Sequence, residues 1–356
     1  MSGGGEAVLD QWRSRIAAAA AAGTSLRLRG AGTKDFYGEA LEGEILDLGA
    51  WRGITAYEPS ELVITARCGT PLSELETELG SRGQMLAFEP PAFGADPTIG
   101  GVVAAGLSGP RRPYAGAARD FVLGTQLLTA NGELLRFGGR VMKNVAGFDV
   151  SRLLCGSLGI LGVITEVSLK VLPRPREEQT LRLELSAAAA VEAFNRWAGQ
   201  PVPLSAAAWQ QGIAMLRLSG AAPAVRAACE RIGGERVLGE AADAWWSALR
   251  HCRLPLFSSE ALWRISVPAA AAPLTLGAEP LIDWGGALRW YAGIDAQTPV
   301  RALARAAGGT ALCWRGPAPG GRFQPLPAAV LALHRRLKAR FDNAGIFNRG
   351  RLLAGL

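Results

Sequence analysis

The residues best placed to do chemistry in this sequence form the stretch "RGAGTKDF", residues 29–36. Gly30 and Gly32 allow backbone N–H groups to converge on one point, and a concave set of N–H groups binds anions. Arg29 and Lys34 stand on either side of these glycines, and their charges favour an anion that carries phosphate. The stretch therefore predicts a phosphate site, with a plain glycine turn between strands as the alternative.

A second glycine-containing segment, "TIGGVVAAGLSGP", begins at Thr98. Thr98 is suited to cap a helix, and Gly100 and Gly101 would leave the first helical turn open to close approach by a ligand. Two further glycines, Gly106 and Gly109, follow. Taken alone, the segment predicts no more than a helix that starts with glycines.

Metal-based and nucleophilic chemistry have little support in this sequence. It has two histidines, His251 and His334, and neither lies in a glycine-rich or acid-rich context. The five cysteines are single, without a C-x-x-C pair that could begin a zinc or iron–sulfur site. We expect no metal site, and we expect the demanding chemistry to come from a cofactor. The cysteines are Cys68, Cys155, Cys229, Cys252 and Cys313.

Composition narrows the class of protein further. The 356 residues suffice for one large or two medium domains. The net charge of +7 comes largely from arginines spread along the chain, which argues against nucleic-acid binding. We find no run of eighteen apolar residues and no export signal, so the sequence predicts no transmembrane segment and a cytoplasmic location.

Both glycine segments lie in the first half of the predicted elements. A helix over residues 6–22 precedes four strands, and "TPLSELETELGSRG" predicts a helix with three leucines on one face. A second unit begins after "FEPPAFGADP", residues 88–97, and within it the pair Asn131-Gly132 predicts a hairpin. A long strand then stops at two prolines, which predicts a domain boundary near residue 174.

The second half alternates strands, such as "GIAMLRLSG" and "ALWRISVP", with Ala-rich segments. This texture predicts an α+β layer in which helices cover one sheet, without a further phosphate loop. Tryptophans cluster in this half, where packing is their main expected role. Helices are predicted at 187–199, 222–233, 241–251, 297–307 and 325–341.

Four segments, in this order, carry a family resemblance. "RGAGTK", "DPTIGGVVAAG", "YAGAARDFVLGTQLLTANGELLRFGGRVMKNVAGFD" and "GSLGILGVITEVSLKV" resemble the FAD-binding domain of the vanillyl-alcohol-oxidase, or p-cresol-methylhydroxylase-type (PCMH-type), flavoproteins. The segment "KNVAGFDVSRLLCGSLGILGVITE" is similar to the glycolate oxidase and D-lactate dehydrogenase branch. The short chain and the ending "FDNAGIFNRGR" resemble the FAD-binding E subunits of bacterial glycolate oxidases most closely.

The resemblance implies an α+β fold with a definite division. A two-subdomain PCMH-type FAD-binding domain would occupy residues 1–174, with subdomains of about 1–90 and 91–174. A smaller α+β cap domain would follow over residues 175–340. Residues 341–356 would return to the FAD-binding domain, and FAD would lie between the subdomains and against the cap.

The resemblance also implies which residues contact FAD. The loop from Arg29 to Lys34 would surround the pyrophosphate, whose burial requires N–H partners in place of water. The segment from Thr98 would lie along the pyrophosphate, ribityl chain or ring, and the turn before the long strand would lie beside the adenine. The implied residues are Arg29, Gly30, Ala31, Gly32, Thr33, Lys34, Thr98, Ile99, Gly100, Gly101, Gly106, Ser108, Gly109, Tyr114, Asp120, Gly159, Gly162, Val163, Ile164 and Asn348.

Several of these residues have a structural alternative. Tyr114 is either a neighbour of the flavin ring or a half-buried aromatic, and at Asp120 a structural hydrogen bond is favoured over chemistry. Val163 and Ile164 would serve equally well as strand core. Ala31 stands where the family often has glycine, so the backbone at this position should avoid positive φ.

Catalytic residues stay unassigned. Because no histidine lies in the flavin-type half, FAD is predicted to be bound non-covalently. Related 2-hydroxy-acid dehydrogenases use a histidine-rich site to remove the hydroxyl proton of the substrate. The second half of this chain lacks such a cluster, so its own catalytic competence is open.

Three functional hypotheses follow. In the first, implied by the resemblance, the chain is the FAD-binding subunit of a glycolate oxidase (dehydrogenase) complex, in the cytoplasm or peripheral at the inner membrane through that complex. Its partners would be a D-type FAD subunit and an F-type iron–sulfur subunit that receives electrons. The substrate of the complex would be a small hydroxy acid. The second is a self-sufficient FAD-dependent 2-hydroxy-acid dehydrogenase with Arg264 or Arg289 as its substrate clamp. The third is a non-catalytic flavoprotein scaffold.

Overall fold

The computed structural model describes residues 3–94, 96–139 and 149–356. Residues 140–148, which contribute to the family resemblance, lie outside the described residues. The first half contains α1 (Gly3–Ala22), β1 (Leu26–Arg29), β2 (Glu44–Asp47), β3 (Ile54–Glu58), β4 (Val63–Arg67), α2 (Leu72–Ser81), β5 (Gln84–Met85), α3 (Ile99–Ala105), α4 (Arg112–Ala115), α5 (Ala118–Phe121), β6 (Val122–Leu128), β7 (Leu134–Gly138), α6 (Val150–Leu154), β8 (Val163–Lys170) and β9 (Leu172–Pro173). The second half contains β10 (Glu177–Glu184), α7 (Ala187–Ala198), β11 (Leu204–Gln210), β12 (Ile213–Gly220), α8 (Ala222–Ile232), β13 (Glu235–Val237), α9 (Gly239–Arg250), β14 (Leu262–Ser266), β15 (Leu281–Asp283), β16 (Leu288–Ala292), α10 (Val300–Ala306), β17 (Thr310–Arg315) and α11 (Ala328–Phe341).

An antiparallel five-stranded sheet forms the centre of the first half, with strand order β3-β4-β8-β6-β7. Helix α2 buries Leu72, Leu75 and Leu79 in the same apolar core as Ile64 of β4. Because side chains three and four positions apart share one helix face, the leucine spacing fixes which face of α2 meets this core. The leucine pattern thus positions the helix as predicted.

The Asn131-Gly132 pair lies in the predicted hairpin between β6 and β7. Gly132 adopts φ of +77°, and its N–H donates to the Thr129 carbonyl at 3.0 Å. The N–H of Thr129 donates in turn to the Glu133 carbonyl at 3.0 Å. The connection therefore spans residues 129–133 and is longer than a two-residue turn.

A parallel pair of short strands, β1 and β2, stands beside the main sheet and is covered by α1. Trp12 and Ile16 of α1 pack in one core with Leu26 of β1. The end of the chain joins this core, since Ile346 and Phe347 are fully buried in it and Phe347 bridges to Leu26 in parallel. Residues from opposite ends of the chain thus support the loop that follows β1.

The second half is built on an eight-stranded sheet with the order β13-β10-β12-β11-β15-β16-β14-β17. Its paired strands are all antiparallel, and α7 packs Val191, Phe194 and Trp197 into the core that it shares with β11. The helices lie close to their predicted ranges. The α+β class predicted from the sequence is confirmed. No helix within the described ranges has the length and apolar character that crossing a bilayer requires.

A buried ionic network joins the two halves. The Glu89 carboxylate lies 3.3 Å from Nε of Arg111, which precedes α4, and 2.7 Å from a guanidinium nitrogen of Arg217 on β12. Arg111 reaches across to Glu178 of β10 at 2.7 Å. Burial raises the pKa of Glu89, but Arg217, Arg111 and Arg250 outweigh burial and leave the pKa below its ordinary value. The carboxylate therefore stays charged and holds two arginines between the halves.

Glu89→Gln is expected to destabilise the protein by about 3 kcal/mol, since removing one partner of a buried ion pair leaves the other charge uncompensated. Urea unfolding measures the loss, with Glu184→Gln, an exposed strand carboxylate, as control. Because the folded-state pKa of Glu89 is depressed, its contribution is present above about pH 4.3 and is lost as the pH falls from there through the folded-state pKa. An equal loss of unfolding free energy in both variants would contradict a stabilising role of the Glu89 ion pairs.

Candidate functional site

A cleft of about 800 Å³, part of it open to solvent, lies where β1, the start of α3, the turn before β8 and the end of the chain meet. Many of the residues predicted from the sequence line it. They are Arg29, Gly30, Ala31, Gly32, Thr33, Lys34, Thr98, Gly100, Gly101, Gly159, Gly162, Ile164 and Asn348.

The loop after β1 offers backbone donors to the cleft. Within the described part of the chain, the N–H groups of residues 30–34 donate to no other residue, whereas Asp35 N–H donates to the Gly32 carbonyl at 3.1 Å. Gly32 adopts φ of +71°, while Ala31 is not among the residues with positive φ. The left-handed backbone conformation in this loop is thus adopted by a glycine, which has no side chain to disfavour it. Unpaired amides at a cleft wall are suited to an anion.

The two glycine segments meet at Gly30. A Cβ atom added to Gly30 would lie 2.2 Å from Oγ1 of Thr98, far inside van der Waals contact. A residue with a side chain at position 30 would therefore force the loop away from α3. The absence of a side chain at Gly30 thus allows contact between two segments that are almost seventy residues apart in sequence.

The start of α3 offers the cleft fewer free N–H groups than the loop after β1 does. The N–H groups of Ile99 and Gly100 donate to the carbonyls of Thr70 at 2.9 Å and Cys68 at 2.8 Å. Ile99 is fully buried in the core and does not line the cleft. Gly101 does line it, and its N–H makes only a long bond of 3.4 Å to Thr98 Oγ1. Position 99 is thus apolar core, because the helix start is tied to the end of β4.

The two basic side chains of the loop, Arg29 and Lys34, differ in whether an acidic group pairs with them. Arg29 pairs with Asp35 at 3.0 Å. The Lys34 ammonium is buried, and within the described residues it has no hydrogen-bond partner. Burial lowers the pKa of Lys34 to about 8. Because an unpaired buried charge is costly, this ammonium fits an anionic ligand in the cleft.

The end of the chain contributes two residues to the cleft. Asn348 accepts a hydrogen bond from Leu28 N–H at 2.8 Å and donates to the Leu158 carbonyl at 2.7 Å. Arg351 donates to the carbonyls of Lys34 and Asp35 at 2.9 Å each, and also to that of Glu39. Burial lowers the pKa of Arg351 to about 10. Asn348 thus joins β1 to the turn before β8, and Arg351 holds the far side of the phosphate loop.

Sequence reasoning missed Arg351. Its only signal was a second basic residue three positions after Asn348 in "FNRGR". The position of this tail is itself fixed by Lys338 of α11, whose ammonium donates to the carbonyls of Ile160 and Phe347 at 2.7 Å and pairs with Asp342 at 2.6 Å. Such contacts depend on the tertiary fold and have no local sequence pattern.

The turn before β8 forms the other wall of the cleft through Gly159, Gly162 and Ile164. A Cβ atom on Gly159 would lie 2.7 Å from the Asn348 side chain, so this glycine allows the tail to approach. Val163 points away from the cleft, fully buried in the core beneath α1. Of the two residues for which strand core was the alternative, Val163 takes that role.

Besides Ile99 and Val163, five predicted residues lie outside this cleft. Gly106 ends α3 with φ of +64°, and a Cβ atom added to it would lie 2.9 Å from the backbone of Gly156. Tyr114 packs against the core of the second half, where burial raises its pKa. Asp120 accepts from Ala117 N–H at 2.9 Å, the structural role favoured for it. The remaining two, Ser108 and Gly109, line a different cavity.

That second cavity is small and lies between the two halves of the chain. Arg264 lines it, whereas Arg289, the other arginine considered as a substrate clamp, does not. Arg289 is fully buried and donates to the carbonyls of Gly286, Ala271 and Ala272. Arg289 is therefore a structural residue, and of the two candidate arginines it is Arg264 that lines the cavity.

Comparison with known proteins places these features in context. Residues 9–138 match the model of a family described as FAD binding domain. The chain is 48% identical over 334 residues to the glycolate oxidase subunit GlcE of Escherichia coli (strain K12), which covers 94% of each protein. It is 34% identical over 128 residues to the glycolate oxidase subunit GlcD of Bacillus subtilis (strain 168), 36% of this chain and 27% of that protein.

The fold has a counterpart among solved structures. An alkyldihydroxyacetonephosphate synthase superposes with a TM-score of 0.66 at 14% identity, over 95% of this chain and 74% of that chain. At this identity the likeness shows the fold alone. The predicted family resemblance and FAD cofactor are confirmed by the sequence comparisons, as is the assignment to oxidoreductase subunits.

Proposed function

This chain belongs to the family of the glycolate oxidase subunit GlcE, and from that premise we propose that it is the FAD-holding subunit of a complex that oxidises glycolate to glyoxylate. One observation carries the proposal: the Lys34 ammonium and the N–H groups of residues 30–34, which have no hydrogen-bond acceptor among the residues that the structure describes, line the same cleft. These groups fit the pyrophosphate of FAD in charge and in hydrogen-bonding capacity. Bound FAD supplies the redox chemistry, as acceptor of a hydride from a donor and source of electrons for an acceptor.

The residues of this chain would bind and orient that cofactor. The amides of residues 30–34 and the Lys34 ammonium would hold the pyrophosphate, and Arg351 would keep the loop in place from behind. Gly30 and Thr98 would set the distance between the two walls of the cleft. Gly159, Gly162 and Ile164 would shape the end that is proposed to receive the adenine.

The partners are proposed from the relatives. We infer a D-type FAD subunit and an F-type iron–sulfur subunit as neighbours, with a location in the cytoplasm or peripheral at the inner membrane through that complex. The sequence supports an external electron acceptor, because its five cysteines include no C-x-x-C pair for a cluster. Co-purification from the native host, followed by identification of the bound proteins, tests this assembly.

The purified chain, loaded with FAD, separates the three functional hypotheses. Bound flavin that stays oxidised with glycolate or D-lactate, and becomes reduced once the D-type partner is present, supports the proposal. Bleaching of the flavin by glycolate in the chain alone would instead favour a self-sufficient dehydrogenase. A protein that stays colourless with excess FAD would overturn cofactor binding and favour a scaffold. Yellow colour that remains on the denatured chain would contradict non-covalent binding.

Lys34→Met is expected to weaken FAD binding by about 10- to 150-fold, the equivalent of one hydrogen bond to a charged group at about 1.5–3 kcal/mol. The FAD-free variant should unfold at the same temperature as the unchanged protein, or higher, because an unpaired buried charge has been removed. Titration of FAD and thermal unfolding measure the two effects. Lys170→Met on β8 is the control, and a Lys34→Met variant with unchanged FAD affinity would contradict the role of this ammonium.

FAD affinity is expected to fall as the pH rises above about 8. In the FAD-free cleft the pKa of Lys34 is about 8, and the pyrophosphate favours the charged ammonium, so binding above that pH requires uptake of a proton. The fall is limited to about tenfold per pH unit. Arg29, Asp35 and Arg351 share the cleft, and Arg351 loses charge only near pH 10. Titrations between about pH 7 and 9.5 should show the slope, and Lys34→Met should abolish it.

A further inference from the structure

Helix α11 is anchored to the rest of the protein through its C-terminal half. Lys338 is buried there and binds Asp342 and two carbonyls, and the ring of Phe341 packs against that of Phe137 with centroids 6.1 Å apart. In the N-terminal half of the helix, Leu331 packs against the core of the five-stranded sheet. The other side chains at the start of α11 are exposed, so this part of the helix presents an uncovered surface.

An exposed apolar segment leads into this helix. Residues 325–333, "PLPAAVLAL", are all apolar, and among them only Leu326 and Leu331 are half-buried. Val330 and Leu333, about one helical turn apart, are 39% and 48% exposed. Contiguous exposed apolar surface is uncommon in soluble proteins and marks sites of interaction. The start of α11 thus has the character of an interface.

The same helix carries positive charge without a counterion. Helix α11 contains no aspartate or glutamate, and Arg335, Arg336 and Arg340 are exposed. Among the residues that the structure describes, none of these three makes an ion pair, whereas Lys338 pairs with Asp342. The helix dipole favours a cation in the last turn, which accounts for Arg340 but not for Arg335 and Arg336 in the middle. The exposed face therefore has an apolar part followed by a basic part.

The chemistry of this face favours one kind of occupant. A lipid bilayer is disfavoured, because helices that lie in a bilayer surface insert large apolar and aromatic side chains, and none of the exposed residues of α11 is aromatic. A second copy of this chain is disfavoured as well, since a twofold interface would bring two arginine-bearing helices together without a carboxylate from either. A different protein that offers both apolar surface and carboxylates complements both parts of the face.

We propose that the exposed face of α11 docks into an apolar groove of a partner protein whose rim carries Asp or Glu side chains. Val330 and Leu333 would enter the groove, as side chains three positions apart do when a helix binds in this way. Arg335 and Arg336 would pair with the rim carboxylates, to which a guanidinium can bind in bidentate fashion. No residue of α11 lines the FAD cleft. The inference rests on the proposed function only in the expectation that the partner is another subunit of the complex.

Affinity purification of the tagged full chain from the native host tests this surface, with the retained proteins identified and quantified by mass spectrometry. The unchanged chain is expected to retain its partner, and less of it as the salt concentration rises, because salt screens exposed charge pairs. Leu333→Gln and Arg336→Glu are each expected to lower the retained partner about tenfold or more, the loss that follows from removing an interface anchor. Leu303→Gln and Arg305→Glu, at exposed positions of α10, are the matched controls and should retain the partner fully.

The acidic rim has a readout of its own. Arg336→Lys places an amine at the same position, and a carbodiimide joins an amine to a nearby carboxyl group as an amide while the carbodiimide becomes its urea. The cross-linked peptide should contain position 336 of this chain and an Asp or Glu of the partner. Bound flavin and the temperature of unfolding should be the same in all five variants, since the changed side chains are exposed and lie outside the FAD cleft.

Docking through α11 is overturned if the unchanged chain retains no protein, if the α11 and α10 variants retain the partner equally, or if position 336 couples to no carboxyl group. Binding to vesicles of phosphatidylglycerol and phosphatidylcholine that Arg336→Glu abolishes would overturn it in favour of a membrane. A dimer of the purified chain that Leu333→Gln dissociates would overturn it in favour of a second copy. Retention of a protein other than a D-type or F-type subunit, lost in the same two α11 variants, would support this inference and contradict the proposed partners.

Discussion

Replacing Gly30 with alanine is expected to give a folded protein that has lost most of its FAD. The added Cβ atom would lie 2.2 Å from Thr98 Oγ1, and either the loop or the start of α3 must move to relieve that clash. A shifted loop would lose two or three hydrogen bonds to the pyrophosphate, each to a charged group at about 1.5–3 kcal/mol. The expected fall in affinity is therefore about 150-fold or more, measured by titration of flavin fluorescence.

Gly199→Ala provides the matched control. Gly199 ends α7 with φ of −82°, and the nearest atoms to an added Cβ lie 3.7 Å away, so alanine fits there without strain. Circular dichroism should show the same secondary structure for both variants. A Gly30→Ala protein that keeps full affinity would show that the approach of the loop to Thr98 is not needed for FAD.

Arg351→Ala is expected to weaken FAD binding more than a hundredfold and to destabilise the protein by about 5 kcal/mol. Arg351 donates to the carbonyls of Lys34, Asp35 and Glu39, so its removal breaks three charge-assisted hydrogen bonds at about 1.5–3 kcal/mol each. The loop would then have to be ordered by the cofactor itself, which costs conformational entropy on binding. FAD titration and urea unfolding measure the two effects.

Arg349→Ala separates this role from a general effect of charge in the tail. Arg349 lies two positions earlier, is exposed, and donates to the carbonyls of Gly345 at 2.9 Å and Gly23 at 3.4 Å, away from the cleft. We expect little change in FAD affinity in this control. If both variants lose FAD to the same extent, then Arg351 acts through the fold of the tail and not through the loop.

The sequence was informative where local chemistry decides structure. The leucine spacing of α2, the Asn131-Gly132 turn and the glycine loop at residues 29–34 each follow from short-range rules of periodicity and backbone freedom. The meeting of that loop with Thr98 came from the family resemblance. No single-residue propensity would have brought together segments that distant in sequence.

The remainder could not be predicted because it depends on long-range contacts. Ile99 was expected at the cofactor, but the end of β4 takes up its N–H and the core takes its side chain. In the sequence, Arg289 cannot be told apart from any other arginine on a strand. Only the structure shows that its guanidinium donates to carbonyls of residues 271–286. Arg264 also lies on a strand, but it lines the second cavity, which Arg289 does not.

The place of Arg351 in the cleft has a consequence for biosynthesis. Lys34 leaves the ribosome 317 residues before the arginine that holds its carbonyl. At about 5–20 residues per second, translation of that interval takes about 15–60 s. During this time the loop is made but lacks its support, so FAD should be captured tightly only after the last part of the chain has emerged.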